Sequence, residues 1–324
     1  AGTGLSGGAL PLADAITVGL AKFNKILDID FDNRAVVAQT GVTNLAITQA
    51  VEHEGFYYAP DPSSQIACSI GGNIAENSGG VHSLKYGLTT NNVLGIELVL
   101  MSGEVVRIGG KHLDSGGYDL LGVATGSEGL LGVITEVKVR ITPLPEMETF
   151  QVAFAPDWET AKTLVRSLTQ AKLPLSMLRL SNAEETRTHL MLAGHEKMVS
   201  VLHRYLALRG CRNEKCMITF GVTGERALVR HTLATVKKRI RAAGGTVVGE
   251  LLGKKWEESR FRSPYLRHGL WEHGYVVDTF ETAVDWKQVT PAMEAMEQAV
   301  RDNVGGGEKV HVFTHLSHLY PQGS

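Results

Sequence analysis

Residues 133–141, VITEVKVRI, alternate apolar and polar side chains, which is the pattern of a strand with one face buried. Residues 15–22, AITVGLAK, open on β-branched residues and are predicted as a strand, as are residues 35–39. Residues 93–101 form an apolar run ended by Ser102-Gly103-Glu104, and residues 105–108 return, so a hairpin is expected there. The spacing changes over residues 43–54, where Leu45, Ala46, Ala50 and Val51 fall on one side of a predicted helix with Gly55 as its C-cap.

The second half repeats one pattern. A strand at 150–154 is followed by Asp157 as N-cap and a helix over 158–172 with Ala161, Leu164, Val165 and Leu168 on one face, then a strand at 177–180. A strand at 216–222 is followed by a helix over 225–243 with Val229, Leu233, Val236 and Ile240 inward, then Gly244-Gly245 and a strand at 246–250. Two such β-α-β units predict a ferredoxin-like, antiparallel α+β layer. Residues 274–277, GYVV, are predicted as a further buried strand.

Composition narrows the classes. The 324 residues are 43% hydrophobic and 20% charged, enough for about two globular domains. A net charge of -2 without charge blocks gives no footprint for nucleic acid or an anionic membrane. Cys68, Cys211 and Cys216 do not make a disulfide framework, no apolar run is long enough for a transmembrane segment, and a cytoplasmic location is expected. The chain opens on AGTGLSGG with no preceding strand, which predicts a fragment truncated at both ends.

Most of the 36 glycines precede residue 150, which places a domain boundary near 143–148. Gly2, Gly4 and Gly7 fit G-x-G-x-x-G, but a Rossmann fingerprint follows a strand and opens a helix, and this one does neither. A nest of backbone N–H groups at such a loop still binds anions. The run 69–87, SIGGNIAENSGGVHSLKYG, follows the PDPSS of residues 60–64 and is predicted as a loop whose backbone grips a flat, phosphate-bearing cofactor. A third Gly-rich element places Gly126, Gly129 and Gly132 before the strand at 133–141.

These motifs, in this order, resemble the FAD-binding domain of the vanillyl-alcohol oxidase superfamily (PCMH type), nearest its glycolate oxidase FAD subunits and D-lactate dehydrogenases. The resemblance implies an FAD-binding domain over 1–147 and a substrate cap over 148–324, each incomplete. It places the FAD pyrophosphate on Gly2, Thr3, Gly4, Leu5, Ser6 and Gly7. It places the flavin on Pro60, Ser63, Gly71, Gly72, Asn77, Ser78 and Gly80, and adenine and ribose on Glu128, Val133 and Ile134. The first loop has no histidine, so non-covalent FAD is implied.

The cap is similar to that of the alkylglycerone-phosphate synthases, whose Y-[LI]-R arginine falls on Arg267 in a stretch that also holds Arg260, Arg262, His268 and His273. His318 stands where the hydroxy-acid branch carries a histidine near the flavin, without that branch's Asp and Asn. The expected chemistry is oxidation of a small 2-hydroxy acid with hydride transfer to flavin N5, Arg267 clamping the carboxylate and His318 taking the proton. The alternatives are acyl-for-alkyl exchange on a dihydroxyacetone phosphate and a flavin subunit that needs a partner chain. A homodimer is also open, and the electron acceptor is not read from the sequence. His311, His315 and His318 do not share one face of a strand, and no metal site is expected.

Overall fold

The computed structural model describes residues 1–4, 7–8, 10–111, 117–192, 196–250, 253, 270–305 and 307–324. It divides into two compact units, Ala1–Leu144 with Ser259–Phe280, and Pro145–Glu258 with Glu281–Ser324.

The first unit is built on an antiparallel five-stranded sheet. Its strands are β1 Ile26–Asp30, β2 Ala35–Gln39, β4 Val93–Val99, β5 Val105–Gly109 and β6 Val133–Arg140, in the order β1-β2-β6-β4-β5. A small ribbon pairs β3 Phe56–Tyr57 with β7 Thr142–Pro143. Helices α1 Asn44–Val51, α2 Ile70–Ala75, α3 Ser83–Tyr86 and α4 Leu120–Ala124 complete it. Val36, Ile47, Val51, Ile70, Ile74, Ile96, Val137 and Val139 form its core. Burying each of these side chains fully contributes about 1.5–3 kcal/mol. The β4–β5 hairpin turns at Gly103, whose φ of 84° is the left-handed conformation that glycine supplies without strain.

Several expectations need correction here. Residues 15–22 are not a strand: Ile16 is 93% exposed and Val18 64%, and the first strand is β1, at 26–30. β-propensity expresses fit to a pleated, half-buried surface, and this segment pairs with no neighbour. The inward face of α1 is Asn44, Ile47 and Val51, with Leu45, Ala46 and Ala50 only half-buried. The run 69–87 is partly helical, because the Ser69 side chain caps α2 by accepting from the Gly72 amide and Ile70 and Ile74 are fully buried. Residues 274–277 are not a buried strand, with Tyr275 63% and Val276 83% exposed.

The second unit has the sheet order β11-β8-β10-β9-β12. Its strands are β8 Met147–Ala155, β9 Met177–Ser181, β10 Cys216–Gly224, β11 Thr246–Gly249 and the short β12 His315–Leu316, all paired antiparallel. The first four strands stand in the ferredoxin-like order fourth, first, third, second, with α5 Trp158–Gln170 and α8 Arg226–Ala242 as the two connecting helices. Asp157 caps α5 by accepting from the Thr160 amide, and Ala161, Leu164, Val165 and Leu168 are buried as the spacing requires. Helices α6 Ala183–Leu192 and α7 Glu196–Leu208 intervene between β9 and β10, and Leu190 and Leu206 pack with Val152, Phe154 and Met217. The helix Val289–Asn303 precedes β12. Among the described residues no helix is long and apolar enough to cross a membrane.

Candidate functional site

In the first loop Gly2 and Gly7 have φ of 67° and 81°, and a Cβ added at Gly2, Gly4 or Gly8 meets nothing within 4 Å. Thr3 is half-buried beside them, and Leu5 and Ser6 lie outside the described residues. Among the described residues of this loop, two glycines are thus left-handed and three have open space where a Cβ would stand, features compatible with backbone amides facing an anion.

The other loops converge on the ends of α2. The carbonyls of Ile74 and Ala75, at its C-terminal end, accept from the amides of Gly126 and Glu128, each at 2.8 Å. Asn77 and Glu128 both hold positive φ, 49° and 53°, in company with Gly126 and Gly129 at 84° and 80°. Left-handed backbone in a residue with a side chain costs about 1–3 kcal/mol, and such strain gathers at ligand clamps. The Asn77 carboxamide oxygen accepts from the Thr90 amide at 2.9 Å, which fixes that turn.

A buried polar chain ties the Pro60 loop to the Ser78 loop. Asn44 Nδ2 donates to the Pro60 carbonyl at 3.0 Å and to Asn73 Oδ1 at 2.9 Å, and Asn73 Nδ2 donates to Ser78 Oγ at 3.3 Å. Asn44 Oδ1 is buried with no hydrogen-bond partner among the described residues. Neither asparagine was singled out from the sequence. Two asparagines 29 residues apart carry no local signal.

The glycines of α2 play two roles. A Cβ on Gly71 falls 1.5 Å from Thr40 Oγ1, so this glycine permits close contact with the end of β2, whereas Gly72 is exposed and its Cβ meets only Ser69 Oγ at 3.1 Å. Pro60 is buried, Ser63 exposed, and Asn77, Ser78 and Gly80 are half-buried. The Ile134 side chain belongs to the core, Val133 is half-buried and Glu128 is exposed. The left-handed residues and the unfilled space at Gly2, Gly4 and Gly8 fit a large ligand that carries phosphate.

In the second unit His318 is half-buried, its Nδ1 is 3.4 Å from Ser317 Oγ, and burial holds its pKa below the ordinary histidine value. Arg267 lies outside the described residues, as do Arg260, Arg262 and His268. The stretch 309–320 is a strand only at β12. His311 Nε2 is 2.9 Å from Thr188 Oγ1 and His315 Nδ1 is 3.1 Å from Glu185 Oε1, so both face α6, and His318 shares neither partner.

A buried charged contact in this unit has no local sequence signal. Arg179, opposite Thr219 in the β9–β10 register, donates from Nη2 to Glu185 Oε1 at 2.6 Å, and His189 Nε2 is 3.4 Å from the same oxygen. The Glu185 side chain is 2% exposed. Burial alone would raise its pKa, but contacts with His189 and His315 and the Arg179 charge hold it far below the usual carboxylate range.

Comparison with known proteins identifies the family and its cofactor. A family model described as an FAD binding domain matches residues 1–109, and one described as FAD linked oxidases, C-terminal domain, matches residues 144–324. The glycolate oxidase subunit GlcD of Escherichia coli K12 is 60% identical over 145 residues, which cover 45% of this chain and 29% of that protein. The alkyldihydroxyacetonephosphate synthase of Trypanosoma brucei brucei is 27% identical over 334 residues, 98% of this chain and 54% of that protein. A solved alkyldihydroxyacetonephosphate synthase superposes with a TM-score of 0.79 at 23% identity, over 94% of this chain and 56% of the other, a likeness of fold. The chain therefore spans about half, or less, of the length of these relatives.

Proposed function

The chain belongs to the FAD-linked oxidases, and from that premise we propose that it is the flavin-bearing part of an FAD-dependent oxidoreductase that oxidises a small 2-hydroxy acid of the glycolate or D-lactate type. The observation that carries the substrate class is the 60% identity to a glycolate oxidase subunit. The first unit supplies the cofactor site. Gly2, Thr3, Gly4, Leu5, Ser6 and Gly7 hold the pyrophosphate through backbone and hydroxyl groups. Pro60, Ser63, Gly72, Asn77, Ser78 and Gly80 line the flavin. Gly71 serves that surface by seating α2 against Thr40. Glu128, Val133 and Ile134 lie along the adenosine, Ile134 through its backbone because its side chain is in the core. Attachment is non-covalent.

When bound, FAD supplies the acceptor for the hydride that leaves the carbinol carbon. His318 takes the hydroxyl proton: burial lowers its pKa, so the imidazole is neutral and able to accept at neutral pH. Arg267 clamps the carboxylate with its planar fork.

A second reading rests on a different observation, the match to an alkyldihydroxyacetonephosphate synthase over 98% of the chain. In it the same flavin loops serve acyl-for-alkyl exchange on a ketone phosphate, with Arg267 at the phosphate. A third reading, a flavin subunit that needs a partner chain, rests on the relative named as a glycolate oxidase subunit.

The test is the visible spectrum of the purified protein. A yellow protein that releases FAD on denaturation and bleaches on anaerobic addition of glycolate or D-lactate is expected. Turnover of an acylated ketone phosphate without bleaching selects the second reading, and a colourless protein that cannot take up FAD overturns both.

A further inference from the structure

Asp61 and His82 are two ionisable residues that the assignment above does not use. Both are buried, Asp61 at 7% exposure and His82 at 6%. His82 Nδ1 lies 2.8 Å from Asp61 Oδ2, and the His82 backbone amide donates to Asp61 Oδ1 at 3.2 Å. One residue thus engages both oxygens of the carboxylate, an arrangement suited to an ionised Asp61 and an imidazole carrying its proton on Nδ1.

The surroundings are shaped to this pair. A Cβ on Gly80 would stand 2.6 Å from both the amide nitrogen and Oδ1 of Asp61, so glycine is needed for Asp61 to approach. Ser83 Oγ accepts from the Gly80 amide and donates to the Gly80 carbonyl, each at 2.8 Å, which holds that backbone in place. The His82 ring meets Tyr86 edge-on at 6.2 Å, and Tyr86 meets Tyr57 in the same way at 6.0 Å.

Burying a carboxylate costs several kcal/mol unless it is paired and hydrogen-bonded, and His82 supplies a partner to each of Asp61 Oδ1 and Oδ2. Here the pair joins the loop at 60–64 to the residue two positions after Gly80, in the two stretches that carry residues assigned to the flavin. We propose that Asp61 and His82 are positioning residues for the flavin: they lock these two loops together and place a fixed carboxylate next to the ring-binding surface. This rests on the reading of those loops given above.

The test uses the full chain stripped of flavin and titrated with FAD. Asp61→Asn keeps the shape and removes the charge. It is expected to weaken FAD binding about ten-fold, equivalent to about 1.4 kcal/mol, and to shift the reduction potential of the bound flavin to more positive values. A purely structural brace would leave the potential unmoved. His82→Leu removes the imidazole donor at Oδ2 and keeps the backbone amide at Oδ1, and is expected to bind FAD about as weakly as Asp61→Asn. His82→Asn offers an amide donor at the Nδ1 position and is expected to recover most of the parent affinity. Asp61→Asn with the affinity and potential of the parent overturns the proposal, as does His82→Asn binding as weakly as His82→Leu. A parent that takes up no FAD overturns the reading of the loops and this proposal with it, whereas equal FAD binding by parent and variants overturns the pairing role alone.

Discussion

Substituting Gly71 by Ala separates two reasons for a glycine. In an exposed helix interior this change gains about 1 kcal/mol of propensity. At Gly71 the new Cβ falls 1.5 Å from Thr40 Oγ1, 2.7 Å from Thr40 Cβ and 3.1 Å from the Thr40 carbonyl. Thr40 is 3% exposed, and its backbone is held by its amide bond to the Thr135 carbonyl at 3.2 Å and by the Gly71 amide at 2.9 Å. Neither side can retreat without losing backbone hydrogen bonds. Overpacking of this kind costs about 1–3 kcal/mol, and taking the upper end less the propensity gain gives a net loss of about 2 kcal/mol. A chain of two units need not unfold in one step, so the assay is hydrogen exchange, read by mass spectrometry over β2 and α2. Gly71→Ala is expected to lower protection there by about thirty-fold, the equivalent of that loss. Adding Thr40→Ala removes the Oγ1 overlap and leaves the Cβ contact at 2.7 Å, so protection returns only in part. Gly72→Ala meets only the end of the Ser69 side chain at 3.1 Å and is expected to stay within about 0.5 kcal/mol of the parent. Gly71→Ala as protected as the parent refutes the reasoning, and FAD loss without loss of protection assigns Gly71 to the ligand instead.

Arg179→Met leaves the Glu185 carboxylate buried without its guanidinium and should cost about 3–5 kcal/mol at neutral pH, read as lost protection in β9 and α6. Because the folded pKa of Glu185 is depressed, its contribution is present above its unfolded value of 4.5 and is lost as pH falls through the folded pKa; Glu185→Gln should flatten that acid dependence, and an unchanged profile counts against the cluster. Cys68, Cys211 and Cys216 are buried, and burial pushes the Cys216 thiol up to about 12 and raises Cys211 as well. A thiol reagent should therefore label the native protein slowly and all three cysteines on denaturation, and fast native labelling would contradict their burial. If His318 is the base, its lowered pKa places the acid limb of kcat/KM below the ordinary histidine value of 6.5, and a limb above it removes His318 from that role.

The second unit was legible in the sequence because its signals are local. Asp157 before Ala161, Leu164, Val165 and Leu168 gives both a cap and a face, and the two repeats of the unit fix the ferredoxin-like order. Residues 15–22 misled because β-branched residues state a preference that only a neighbouring strand fulfils. The Arg179–Glu185–His315 contact was hidden because Arg179 and His315 are 136 residues apart and meet only once β9 and β12 are paired. The Asp61–His82 pair and the Asn44–Asn73 contact were hidden for the same reason, although the loops they join were marked by their glycines.

The glycines of these loops answer to two physical causes. Gly2, Gly7, Gly126 and Gly129 hold positive φ, the conformational freedom peculiar to glycine. In the central run, Gly71 and Gly80 are there for proximity instead, one to Thr40 and the other to Asp61. Composition shows that backbone approaches something closely without showing whether that something is ligand or protein. The distinction decides which substitutions report on the cofactor. Changes at Gly71 and Gly80 disturb the protein's own packing first, so flavin lost there is ambiguous evidence. Gly4, Gly8 and Gly72 face open space or a single hydroxyl, and a Cβ at these three can weaken FAD binding only by meeting FAD or by moving the loop that holds it. Alanine at these positions, with protection unchanged and FAD affinity reduced, is the outcome expected if the loops hold the cofactor directly; unchanged affinity at all three would place it elsewhere.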